Sequence, residues 1–371
     1  MAFARSEHMN YSLSLIILFF STTFQTIISA QESKNIKGTA DTRALLPNQV
    51  SPSLKSVFDF PVGAAVNANL LRKRAIYRET VAREFNSITA ENAMKFGALH
   101  PSETEFRFKA ADEIVAFAQQ HNMRVHGHTL LWPQKVPDWI KNYKGDRKAW
   151  ENLLRTHIHT VVNHFKGKVV SWDVVNEAVA ESGALKKSIW LDKLGPDYIA
   201  MAFRFAHEAD PNALLFYNDY GHEFGGKKLQ KILAMVQDFK RRGVPIHGLG
   251  MQMHLVVRIS DQKIKNAINS AARTGLLVHI SELEISVKYN KPKTFLMDDL
   301  LASQQAQKYK AVFLAYRNVP KKQQFGITTW NVGDADAFRN NKIKNRDHPM
   351  LFDVEYKPKA AYRALLEAAG R

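Results

Sequence analysis

Along residues 277–285 the side chains of Val278, Ile280, Glu282 and Glu284 fall on one face of an extended segment, so two carboxyls follow two apolar residues toward its end. An unpaired carboxylate in such a half-buried position is costly, and the arrangement calls for partners or for a chemical purpose. Other extended segments close in the same way. Gln252 and His254 share a face over residues 248–254, and His126 and His128 share one over 124–130. Glu91-Asn92, Asn176-Glu177 and Asn218-Asp219 each end a further segment, and Trp330 followed by Asp334 ends the last. Taken singly, a buried His is usually just hydrogen-bonded and a terminal Asn or Asp usually caps the next helix. Seven segment ends carrying acids, amides, imidazoles and indoles form a site if the fold brings them together.

Two carboxyls on different segments suit glycoside cleavage, in which one acid protonates the leaving oxygen and the other attacks the sugar carbon. Indole and phenol rings stack on sugars, while Asn, Gln and Lys bond their hydroxyls. A metal-dependent hydrolase is the alternative, with His126 and His128 on one metal and Glu282 or Asp334 completing its shell. A barrel that binds glycans without turning them over is a third reading. Serine chemistry lacks a Gly-x-Ser-x-Gly turn, and Gly225-Gly226 lacks the pattern of a phosphate-cradling loop.

What must position these groups is an eightfold alternation. Short β-branched or aromatic runs at 62–66, 87–91, 124–130, 169–176, 214–219, 248–254, 277–285 and 325–332 read as strands. Amphipathic segments lie between them, including 147–165, 196–210, 228–241, 300–317 and 359–369. In 196–210, Tyr198, Ile199, Ala202, Phe203 and Ala206 form one stripe, and Pro196 sits where a helix begins. Parallel strands need helical crossovers, so the expected fold is α/β, a single (β/α)8 TIM barrel over residues 54–371, with a doubly wound open sheet as its rival.

The 371 residues are 45% hydrophobic and 23% charged, which excludes disorder, collagen and coiled coil as descriptions of the whole. Cysteine is absent, so disulfides and thiolate metal sites are excluded and packing must supply stability. The net charge of +17 comes from basic residues scattered singly or in short runs such as Lys240-Arg241-Arg242, which reads as a solvated basic face and not as a nucleic-acid interface. Residues 1–30 read as a secretory signal: Arg5, an apolar stretch over 13–20, then Ser21-Thr22-Thr23 and a cleavage site at Ile28-Ser29-Ala30. The longest unbroken apolar run, 15–20, is far short of the roughly 20 residues that span a bilayer. Polar residues 31–53 read as a flexible lead-in. The expectation is a secreted protein, extracellular or periplasmic, monomeric and free of the membrane once the signal is removed.

From Phe58 to Leu366 the chain resembles the retaining endo-β-1,4-xylanases of glycoside hydrolase family ten. The strings that carry the resemblance are Thr89-Ala90-Glu91-Asn92-Ala93-Met94-Lys95, Gly127-His128-Thr129-Leu130-Leu131-Trp132, Trp172-Asp173-Val174-Val175-Asn176-Glu177, Asn218-Asp219-Tyr220, Gly250-Met251-Gln252-Met253-His254, Ile280-Ser281-Glu282-Leu283-Glu284 and Leu351-Phe352-Asp353. The resemblance implies that Glu177 is the general acid/base and Glu282 the nucleophile, with carboxyls about 5 to 5.5 Å apart as retention requires. It implies that His254 holds Glu282 with Glu284 behind it, and that Asn176 bonds the 2-hydroxyl of the cleaved sugar. Glu91, Asn92, Lys95, His128, Trp132, Gln252 and Trp330 would line the non-reducing side, and Tyr220 would form a platform beyond the cleavage point. Neither metal nor cofactor is implied; the partner is xylan, including acidic glucuronoxylan, which the basic surface would attract.

Four positions depart from the usual family pattern. Pro133 follows Trp132 in place of a sugar-binding His, Phe96 replaces a Trp, Glu284 stands for Asp, and Phe338 occupies the place of a second indole beside the sugar. Phe338 lacks the indole donor and part of its stacking area, so weaker binding at the cleaved sugar or tolerance of a bulkier one is expected.

Overall fold

The computed structural model describes residues 52–288, 295–342 and 347–370. The expected signal and residues 31–51 of the lead-in lie outside the described residues. Eight strands form the centre: β1 Val62–Val66, β2 Ser87–Ala90, β3 Arg124–Leu131, β4 Ser171–Asn176, β5 Leu214–Asp219, β6 Gly248–Met251, β7 Leu277–Ser286 and β8 Gln324–Thr329. Each pairs in parallel with the next in chain order. Pairing of Val62, Gly63 and Ala64 with Ile327, Thr328 and Thr329 joins β8 to β1, and the closed (β/α)8 barrel leaves no open sheet edge of the doubly wound kind.

Helices Ala75–Glu84, Lys109–Gln120, Arg147–Phe165, Tyr198–Ala209, Gly226–Arg241, Asp261–Ala272, Asp299–Arg317 and Ala360–Ala368 follow the strands in turn. Their formation follows from pattern and caps. In Arg147–Phe165 the Asp146 carboxylate accepts the Ala149 N–H at 2.8 Å, satisfying one orphan donor of the first turn. Trp150, Leu153, Leu154, His157, Ile158, Val161, Val162 and Phe165 recur at helical spacing and are buried against the barrel. Helices Leu54–Val57 and Ala360–Ala368 are tied together by Glu84, which accepts the Leu54 N–H at 3.1 Å and the Tyr362 hydroxyl at 3.0 Å. Among the described residues no helix is long and apolar enough to cross a membrane.

Side chains fill the barrel from below, leaving the strand ends above them to form the site. Phe216 and Phe325 pack with centroids 4.5 Å apart, and His126 and His279 stand edge-on to them. Gly248 makes room for this layer, since a Cβ there would lie 2.0 Å from Cε1 of Phe216. Burial drives His279 well below the usual imidazole value, so this ring stays uncharged.

The sixth strand is shorter than expected. It ends at Met251, Met253 takes a left-handed φ of +58°, and His254–Val256 resumes as a separate short strand against the far part of β7. Strand alternation therefore does not continue from Gln252 to His254; a backbone turn aims both. Similarly, β8 stops at Thr329 and Asn331 adopts φ +101°, so Trp330 lies in the turn after the strand.

Candidate active site

A cleft of about 280 Å³ opens at the carboxyl ends of the strands. Of the residues singled out in the sequence, Lys95, His128, Trp132, Asn176, Glu177, Tyr220, Gln252, His254, Glu282, Trp330 and Phe338 line it. Glu91, Asn92 and Glu284 are not in its lining. Glu91 is buried and accepts from Asn67 Nδ2 at 3.3 Å, Asn92 accepts from Lys95 Nζ at 2.8 Å, and Glu284 stands behind His254.

Glu177 caps β4 in a left-handed conformation, φ +60°, which a side-chain-bearing residue adopts at a cost of about 1–2 kcal/mol. Neighbouring β5 holds it there. The Glu177 N–H donates to the Asn218 carbonyl at 2.9 Å, and the Ala178 N–H donates to the Tyr217 hydroxyl at 3.1 Å. The turn lifts the Glu177 carboxyl into the cleft, where Oε2 accepts the Trp132 indole N–H at 3.2 Å and Oε1 accepts Gln252 Nε2 at 3.1 Å. Lys186 Nζ lies 3.7 Å from Oε2.

Glu282 is more deeply set. Its Oε1 accepts from Asn218 Nδ2 at 2.8 Å and its Oε2 faces His254 Nε2 at 3.2 Å. His254 Nδ1 in turn meets Glu284 Oε1 at 2.8 Å, and Arg339 forms an ion pair with that same oxygen at 2.7 Å. Burial alone would raise the Glu282 carboxyl, but the His254 hydrogen bond and the charges of His128 and His254 outweigh it and hold the group below the usual carboxylate range. Burial disfavours the His254 charge, yet the bonds to Glu282 and Glu284 prevail and push it up to about 10. Near neutral pH the group is thus an imidazolium held between two carboxylates.

Amides join the two carboxyls. Asn176 Oδ1 accepts from both Gln252 Nε2, at 3.2 Å, and Asn218 Nδ2, at 3.0 Å, so Glu177, Gln252, Asn176, Asn218 and Glu282 form one hydrogen-bonded series. With its carbonyl doubly used, Asn176 turns its amide donor toward the cleft, where it makes a long 3.4 Å contact with Glu177 Oε1.

On one side of this pair, Lys95 Nζ lies 5.3 Å over the Trp132 ring and 5.8 Å over Trp330, and His128 packs edge-on against Trp330. On the other side, the ammonium groups of Lys228 and Lys186 stand 3.6 and 4.6 Å over the Tyr220 ring. Lys228 is buried, paired with Asp219 at 3.0 Å and Glu181 at 3.1 Å.

The imidazoles of His126 and His128 do not converge on a metal-sized space. Both address Asp173, at 3.0 and 2.8 Å, and Asp334 faces Lys359 and the Met350 N–H away from the cleft. Among the described residues no three His, Cys, Asp or Glu groups are placed to share an ion. The donor set expected for a metal hydrolase is therefore engaged elsewhere.

Several contributors have roles that the sequence reading does not assign. Asn218, one of the strand-end candidates, is the amide that bonds Glu282. Ser281 donates to Asn218 Oδ1 at 2.6 Å, and Gly250 leaves the room, since a Cβ there would lie 2.2 Å from that oxygen. Lys135, Glu223 and Phe224 also line the cleft. They sit in turns, where no periodic pattern marks them. Among the departures from pattern, Phe96 is a core residue stacked on His157, whereas Phe338 does face the cleft beside the His254 ring.

Residues 51–368 match the model of glycosyl hydrolase family 10. The chain belongs to glycosyl hydrolase family 10. Among family 10 relatives, endo-1,4-beta-xylanase B of Paenibacillus barcinonensis is 38% identical over 325 residues, covering 84% of this chain and 96% of that protein. Endo-1,4-beta-xylanase A of Thermoanaerobacterium saccharolyticum is 38% identical over 330 residues, covering 85% of this chain. The present chain spans only 28% of that longer relative's length. Xylanase 10B from Thermotoga petrophila, solved in complex with xylobiose, shares the fold with a TM-score of 0.81 at 34% identity, over 87% of this chain and 98% of that one.

Proposed function

We propose that the protein is a retaining endo-1,4-β-xylanase that cleaves internal bonds of xylan by double displacement. The observation that carries this reading is the pair of cleft carboxyls from β4 and β7, one among neutral donors and a lysine, the other bound to a charged imidazole. In the first step Glu177 gives its proton to the glycosidic oxygen while a Glu282 oxygen attacks the anomeric carbon. The carbon–oxygen bond breaks, the leaving sugar departs with its new hydroxyl, and a glycosyl ester forms. Esterification removes the Glu282 charge from the cleft. Glu177 then takes a proton from water, the water oxygen attacks the same carbon, and Glu282 is released.

The remaining groups bind and orient. Asn176 donates to the 2-hydroxyl, while Lys95, His128, Trp132, Gln252 and Trp330, backed by Glu91 and Asn92, hold the sugars on the non-reducing side. Similarity to named xylanases supports xylan as the substrate class. Export belongs to the same reading and rests on the character of residues 1–30. The test is hydrolysis of purified xylan followed by NMR, with β-configured reducing ends appearing first and mutarotating afterwards. Initial α-product overturns retention, an intact xylan overturns the substrate, and loss of activity with chelator revives the metal alternative.

A further inference from the structure

The loop after β8 forms a short helix, Phe338–Lys342, whose first two residues address different partners. Phe338 lines the cleft; Arg339 does not line it and instead sets its guanidinium against Glu284, Nε to Oε1 at 2.7 Å. His254 Nδ1 meets that same oxygen at 2.8 Å, so imidazolium and guanidinium share one acceptor. From the loop inward the charges alternate through Arg339, Glu284, His254 and Glu282. Neighbouring bonds fix where the helix can carry Arg339. Asn331 Oδ1 accepts the Phe338 N–H at 2.8 Å, and Asn340 Nδ2 donates to the Asp334 and Asp347 carbonyls at 2.7 and 3.0 Å. Asp347 in turn accepts the Val287 N–H at 3.1 Å and the Ser286 hydroxyl. Ser286 ends β7, the strand that bears Glu282 and Glu284, so the loop is tied to the same strand end that the ion pair addresses.

We propose that Arg339 is a positioning residue for the reaction, acting on the nucleophile Glu282 through Glu284 and His254. Glu284 needs such a partner. It is only 1% exposed and its Oε2 has no hydrogen-bond partner among the described residues, so His254 and Arg339 are what hold this carboxylate. Glu284 also has one more rotatable bond than the Asp of the usual family pattern, and the second cation removes the freedom that the extra methylene adds. Charge balance points the same way. Two carboxylates around one imidazolium leave a negative charge uncompensated in a buried place, and the guanidinium compensates it. The 2.7 Å contact lacks the alignment of a hydrogen bond, so it works as charge against charge and does not depend on the guanidinium fork. This inference rests on the xylanase reading, in which Glu282 is the attacking group.

The experiment uses the full chain with xylohexaose, comparing wild type, Arg339→Gln and Arg339→Lys, and repeating Arg339→Gln in a Glu284→Gln background. Arg339→Gln lowers kcat about tenfold and leaves KM within about twofold, since the side chain does not line the cleft and displaces only the attacking group. Arg339→Lys restores most of kcat because it returns the charge. In the Glu284→Gln background the Arg339→Gln loss disappears, as the cation has no carboxylate left to hold. Wild-type kcat in folded Arg339→Gln, a rise in KM at constant kcat, or an equal loss in both backgrounds overturns this inference alone. Wild-type protein that leaves xylohexaose intact overturns the parent reading and this one with it. Arg339→Met, similar in length and equally uncharged, decides the matter if Arg339→Gln fails to fold.

Discussion

The side-chain amide of Asn218 donates a 2.8 Å hydrogen bond to Glu282, and it does so across space that the missing side chain of Gly250 leaves open. Gly250→Ala would place a methyl 2.2 Å from Asn218 Oδ1. Asn218 must then move, and the nucleophile loses a donor. We expect kcat on xylan to fall about 10- to 100-fold, because small misplacements of reacting groups are costly. Circular dichroism and a melting curve distinguish this from unfolding; wild-type kcat in a folded variant refutes it.

The two carboxyls should separate by stereochemistry. Glu177→Ala loses about a hundred- to ten-thousandfold on xylan, but it still forms the ester from an aryl xylobioside with a good leaving group. Added azide then attacks the ester and yields the β-glycosyl azide. In Glu282→Ala azide replaces the missing nucleophile and yields the α-azide. NMR of the two products checks the assignment, and the same anomer from both variants would contradict it.

Stability should follow the imidazolium. His254 ordinarily titrates at 6.5 and is pushed up to about 10 in the fold, so its contribution is complete below pH 6.5 and is lost as pH rises through about 10. Glu282 has the opposite sign: held below its ordinary 4.5, it contributes above that value and stops contributing as pH falls through its folded value. Melting temperatures of wild type should therefore drop more steeply from pH 6.5 to 10 than those of His254→Asn. Parallel curves would remove the charged bridge.

Phe338 faces the cleft where the family pattern has an indole. Restoring it with Phe338→Trp should raise the kcat/KM ratio of xylotetraose over cellotetraose by about tenfold, the scale of discrimination that a change of this size provides. A strict xylose preference equal in both proteins would show that the position does not set it.

The net charge of +17, with Lys95, Lys135 and Lys186 at or beside the cleft, should make cleavage of glucuronoxylan more salt-sensitive than cleavage of neutral arabinoxylan. Initial rates on the two polymers across a salt series test this. Equal slopes would argue against it.

Much of this site is legible in the order of the amino acids, and the reason differs by residue. Glu282 stands out because strand alternation puts it in line with Val278 and Ile280. Glu177 reads only as a strand-end acid, since nothing local foretells the left-handed turn that lifts it into the cleft. Gln252 and His254 look like neighbours on one strand face, yet Met253 breaks the strand between them. Asn218 has the look of a cap because its decisive partner lies 64 positions away. Glu223 and Phe224 occupy a three-residue turn, too short for any period to show. The barrel itself is readable throughout, because eight alternations of pattern leave few other ways to bury so many parallel strands.

The bend at Met253 sends Gln252 to one acid and His254 to the other, from adjoining stretches of a single backbone. One short length of chain therefore acts as a gauge block between the proton donor and the attacking oxygen. Evolution could retune pockets for different sugars around the rim without disturbing that spacing, since the part that measures it belongs to neither acid and touches both.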